Sequence, residues 1–194
     1  MINRIVVLLG FALIAFPSSL VRADKIVSLH MSWSLDSKSG AWTNDDVKVS
    51  FPEARATFTR ERAEPVRKDG TAIFSYSGKR GVITFYLGHR MFEGYPNAAA
   101  LRDGYLSNMY KQYGRVDMEQ SFGLTFHRGN NRFSGVGTTC HFVSFPAMEK
   151  MPAYSEIGAV LVGNFLLYYR ASFIEKAGLN DLSHFLKATG IDKK

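Results

Sequence analysis

The chain has a single cysteine, Cys140, and opens on a segment built for export. Secreted domains stapled by disulfides carry cysteines in even sets. One cysteine allows no intramolecular bridge, so an apolar core must carry the fold. Aromatic residues make up 13% of the chain, and they supply the large side chains for such a core.

The opening segment follows the order of a secretory signal. Arg4 provides the positive charge. Ile5–Phe16 is an uncharged apolar run, and Pro17-Ser18-Ser19 ends it. Val21-Arg22-Ala23 places short side chains three and one positions before a cut between Ala23 and Asp24. The run is well short of the roughly 20 apolar residues of a spanning helix, so cleavage is expected rather than anchoring. No cysteine stands near the cut for lipid attachment, and no twin-Arg pair precedes the run, which fits a Sec-type route. Residues 1–23 are therefore expected to be a cleavable signal peptide and residues 24–194 a single domain. A domain of that size can bury a sizeable core. No Asn-X-Ser/Thr sequon occurs. With the lone cysteine, this points to a bacterial periplasm or a secreted location.

Charge narrows the partners. Two of the 24 basic residues, Arg4 and Arg22, lie in the leader, which leaves 22 against 17 acidic ones, a net charge of +5. A mildly basic exported surface suits anionic surroundings. No like-charge run marks a nucleic-acid tail, and export separates the protein from nucleic acid, so no such partner is expected.

Period-2 patterns dominate the chain. Strands are expected over Lys25–Trp33, Val47–Phe51, Thr71–Tyr76 and Val82–Leu87. Arg55–Arg62 reads as a charged, possibly edge strand. Ser77–Gly81 reads as a hairpin loop. Phe122–His127 and Arg132–Phe145 flank Arg128-Gly129-Asn130-Asn131, a strong hairpin turn. Pairing about that turn sets His127 beside Arg132 and His141 near Gln120 or Ser121. Pro146–Pro152 reads as a loop. Ile157–Tyr169 is nearly all apolar and reads either as one buried strand or as a hairpin turning at Gly163-Asn164.

Two helices are expected. Asn97–Tyr113 follows Pro96, is capped by Asn97, and repeats Ala98, Leu101, Tyr105, Met109 and Tyr113 at helical spacing, with Gly114 at its end. Gly104 inside it costs about 1 kcal/mol relative to Ala. Leu179–Ala188 is the second, with Asn180 as cap and Leu182, Phe185 and Leu186 as its apolar face. The expected fold is α+β: an antiparallel sheet with two main helices packed on it.

That layout resembles the PsbP/Mog1-like α+β sandwich over roughly residues 46–190. Val49-Ser50-Phe51-Pro52 is similar to a short stretch often found near that fold's start. The resemblance implies a binding or assembly factor rather than an enzyme. It carries over no functional residues.

Candidate chemistry is sparse. Cys140-His141 are adjacent on a strand and point to opposite faces, so His141 cannot serve Cys140 as base. Only a distant His30, His89, His127 or His184 could do so, and that is the basis of an alternative reading as a small periplasmic hydrolase. The surroundings of Cys140 read instead as core. The histidines lack metal-ligand spacing, so no metal and no cofactor are expected. Gly135-Val136-Gly137 lacks the Lys and the following helix of a phosphate loop, and reads as a bulge or close backbone contact.

The basic turns carry more information. Lys79-Arg80 tip one hairpin; Arg128, Asn130, Asn131 and Arg132 tip another, beside Phe133. At the same end of a sheet they would form one cationic patch for phosphate or carboxylate groups. The expected function is an exported, non-enzymatic protein that binds another protein or an anionic envelope component through Lys79, Arg80, Arg128, Asn130 and Arg132.

Overall fold

A long helical side chain, Phe185, marks the centre of the molecule. The computed structural model describes residues 32–65, 71–89, 94–113, 116–142 and 153–194. The signal segment 1–23, its cut at Ala23 and Asp24, most of the strand expected over 25–33, and the loop 146–152 lie outside them.

The described part is mostly β, with 57% of it in strands. A small sheet comprises β1 (Trp33–Leu35), β2 (Trp42–Asn44) and β3 (Val49–Phe51), paired in that order. Three strands follow: β4 (Ala54–Arg55), β5 (Phe58–Glu64) and β6 (Ala72–Gly78). Next come β7 (Gly81–His89), helix α1 (Ala98–Tyr113), β8 (Val116–Arg128), β9 (Asn131–Phe142), β10 (Ala153–Val162) and β11 (Phe165–Phe173). Helix α2 (Ala177–Ala188) and β12 (Ile191–Lys193) close the order.

The nine strands from β4 onward form one antiparallel sheet in the order β12-β8-β9-β10-β11-β7-β6-β5-β4. It curls into a half-barrel, as a twisted sheet of this width tends to do. Register irregularities at Arg60/Arg62 in β5 and Val116/Met118 in β8 add local bends.

Alternation sorts the side chains onto two faces. Phe74 and Tyr76, Ile83 and Phe85, Val160 and Val162, and Leu167 and Tyr169 line the trough of the half-barrel. Helix α2 lies in that trough with Leu182, Phe185 and Leu186 buried. The Phe185 ring is 4.6 Å from Tyr76, 5.6 Å from Phe85 and 5.7 Å from Phe58. The small sheet covers the rest of the trough, where Phe51 stacks on Phe74 at 4.3 Å. Arg60 ties it down, donating to the carbonyls of Phe51 (3.1 Å) and Gly40 (2.8 Å).

Helix α1 covers the outer face. Leu101, Leu106 and Met109 pack there with Cys140, Phe142, Ile157, Ala159, Leu166 and Tyr168. Asn97 caps the helix, its Oδ1 accepting the Ala100 N–H at 2.9 Å. Because β10 and β11 are covered on both sides, their sequence is apolar almost throughout. The run 157–169 is a hairpin with its turn at Gly163-Asn164.

The expected α+β sandwich is thus corrected to a mostly β half-barrel with a separate three-stranded sheet. Two physical reasons account for the difference. The breaks between strands are brief: Lys79-Arg80 alone turns β6 into β7, and Gly163-Asn164 alone turns β10 into β11. The helices also lie on opposite faces of one sheet, so they do not form a shared helical layer. Helix α2 begins at Ala177, before the expected Asn180 cap, and no side chain caps it.

Phe185→Ala would empty the centre of the trough. The expected loss is about 3–5 kcal/mol of unfolding free energy, read from urea denaturation.

Candidate functional site

The register separates the two basic turns. The turn at Lys79-Arg80 lies at the end of the sheet where Gly81 faces Phe173, and Phe173 faces Tyr154. The turn at Gly129-Asn130 lies at the other end, beside the Gly163-Asn164 turn. The single patch expected from both tips is therefore not formed.

The two tips also differ in what their charges do. Arg80 is committed to the fold. Its Nη1 donates to Asp181 at 3.0 Å, and its Nε lies 2.7 Å from Glu175. Its carbonyl accepts the Ile174 N–H at 3.0 Å. Asp181 first, then Glu175, push the guanidinium further above its ordinary value. Arg80 thus clamps the β6–β7 turn to the start of α2. Lys79 beside it is exposed. At the other end Asn130, Asn131 and Arg132 are exposed and Arg128 is half-buried. Among the described residues, neither Arg128 nor Arg132 has an ion-pair partner.

Cys140 is fully buried under α1. Burial above all, with Glu119 nearby, pushes its thiol up to about 11. Tyr110 donates to Glu119 beside it, and burial, then that bond, raise the phenol. Such a thiol is the opposite of the depressed one a nucleophile needs. His141 packs on the other face, stacked on Tyr154 at 4.5 Å. Its strand partner is Met118, so it lies two or three residues from the expected Gln120 or Ser121, while His127 does face Arg132. His127 pairs with Asp192 at 2.8 Å, and His89 meets Phe165 edge-on at 5.6 Å. Among the described residues no group of three metal-ligating side chains occurs.

A polar cluster that the sequence reading missed lies in the trough. Glu156 is 1% exposed. It accepts from Thr139 Oγ1 (2.7 Å), Tyr169 OH (2.8 Å) and Lys193 Nζ (2.6 Å). Lys193 Nζ also stands 3.9 Å over the Phe122 ring. Burial first, then the Glu156 charge, raise the Tyr169 phenol well above its ordinary value, so it stays a donor. Two glycines make room for the rings beside this cluster. A Cβ at Gly137 would run into Phe122, and one at Gly158 into Tyr169. Every strong donor here is used on Glu156. The cluster latches β12 to the sheet, although it contains a buried carboxylate of the kind active sites use. No short-range signal links Glu156 to Lys193; only the fold brings them together.

Comparison with protein-family models and with curated proteins finds no match. Among the described residues, no helix is long and apolar enough to cross a membrane.

Two outcomes are expected. Cys140 in the folded protein at pH 7 should resist iodoacetamide, and denaturant should expose it to complete labelling, read by intact mass. Lys193→Met should cost about 3 kcal/mol by leaving the buried Glu156 without its ion-pair partner, and adding Glu156→Gln should recover much of it in a double-mutant cycle.

Proposed function

We propose that the protein is exported and works beyond the cytoplasm as a non-enzymatic binding protein, and that its partner is another protein or an anionic envelope component. The observation that carries this reading is the tip of the β8–β9 hairpin. Residues 131–134 of β9 pair with β8 alone, beyond the last β10 partner at Gly135. β10 itself continues to Val162 before turning, so the hairpin outruns that strand by about two residues, about 7 Å at about 3.4 Å per residue. Phe133 packs against the buried Phe126 at 6.5 Å, which anchors the base of this arm. Arg128, Asn130, Asn131 and Arg132 thus stand on a braced projection, with two charges that no described acid neutralises. Guanidinium forks on such a projection suit phosphate and carboxylate groups. The net positive charge of the chain adds long-range attraction.

Binding to anionic envelope vesicles at low salt tests it. Arg128→Glu with Arg132→Glu should weaken binding about thirtyfold or more, at about 1 kcal/mol per charge. Lys79→Glu, at the opposite end, should have little effect. Equal losses from both would show general charge attraction and refute the arm.

A further inference from the structure

One edge of the half-barrel borders α2, and a cleft lies between the two. One edge strand, β4, ends at Arg55. The other, β12, begins just after α2, separated from it by Thr189 and Gly190. The cleft, between β4 and α2, is open to solvent, has a volume of about 520 Å³ and is lined by the exposed residues Arg55, Ala56, His184, Lys187 and Ala188. That is within the size of small-molecule clefts, roughly 300–1,000 Å³.

Three of these residues offer nitrogen donors, and none is acidic. His184 and Lys187 are three apart on α2 and share a face. The helix end does not need them. The carbonyls of Phe185 and Leu186 accept the Thr189 N–H at 3.2 and 2.9 Å, and that of Lys187 accepts the Gly190 N–H at 3.2 Å. The Thr189 hydroxyl adds a bond to Leu186 at 2.8 Å. Asp181, one turn before His184, is drawn away by Arg80. Among the described residues, Arg55, His184 and Lys187 have no ion-pair partner.

Arg55 is placed firmly. Its strand partner is Phe58, which is buried and meets Phe185 edge-on at 5.7 Å. The next residue, Ala56, holds a φ of +53°. Ala56 and Thr57 form the two-residue turn between β4 and β5, where a positive φ at the first position is what the hairpin requires.

We propose that this cleft binds an organic phosphomonoester. The Arg55 fork and the Lys187 and His184 donors suit the several oxygens of a phosphoryl dianion, where a lone carboxylate would be satisfied by Arg55. The Ala56 and Ala188 methyl groups and the remaining volume accept the organic body. This site is distinct from the hairpin arm and involves neither Arg128 nor Arg132.

Calorimetry of the protein with phenyl phosphate tests the inference. Saturable binding is expected, stronger than that of inorganic phosphate, and Arg55→Ala with Lys187→Ala should weaken it about a hundredfold, near tenfold per charge-assisted contact. Both positions are exposed, so an unchanged melting midpoint should accompany the loss. Vesicles of phosphatidylcholine with phosphatidic acid form the second arm. Binding to vesicles alone would assign the phosphoryl group to a lipid, and binding to phenyl phosphate alone to a soluble ligand; either supports the site. Binding to neither, or binding that survives the double substitution, would overturn it. Vesicle binding lost in the Arg128→Glu/Arg132→Glu variant but intact in Arg55→Ala/Lys187→Ala would uphold the arm and overturn the cleft.

Discussion

The packing of Phe185 into the trough is the contact on which the rest depends. A curled sheet of nine strands leaves a concave apolar surface that must be covered. Phe58 from one edge region, Tyr76 and Phe85 from the middle, and Phe185 from α2 form one aromatic cluster. Aromatic contacts of this kind contribute beyond their area burial, about 0.5–1.5 kcal/mol each. With no disulfide available, this cluster does the work that cross-links do in many exported domains.

The two ends of α2 are fastened by different chemistry. Arg80 clamps the beginning through Asp181 and Glu175. At the other end the chain turns at Gly190, whose φ of +84° suits glycine, and its carbonyl accepts the His127 N–H at 2.8 Å. β12 then docks on β8, with Ile191 buried and Lys193 paired to Glu156. The same helix therefore borders the β4 edge at the cleft and leads directly into the β12 edge. It also fixes where the cationic cleft and the base of the hairpin arm stand relative to each other.

Much of the local structure was legible in the sequence. Asn97 and the spacing of Leu101, Tyr105 and Met109 marked α1. Gly129-Asn130 marked the β8–β9 turn and put His127 opposite Arg132. The glycines of β9 were readable as points of close contact, and Gly137 does lie under the Phe122 ring. What escaped was set by long-range pairing. Whether Ile157–Tyr169 was one strand or two depended on what covered it. The half-barrel follows from β7 pairing with β11, which no short pattern encodes. Lys79 and Arg128 look alike as turn residues, yet the register sends them to opposite ends. Arg55 reads as an edge charge and His184 as a distant candidate base for Cys140 until α2 brings the two to one cleft.

Helix α2 is part of the same cooperative unit as the sheet it fills. Native-state hydrogen exchange of the α2 amides, measured against those of β6 and β7, tests this most directly. The amides of Leu182, Phe185 and Leu186 are expected to open with the same free energy and denaturant dependence as Phe74 and Phe85, through global unfolding. Opening of α2 several kcal/mol below the sheet, with a smaller denaturant dependence, would contradict it.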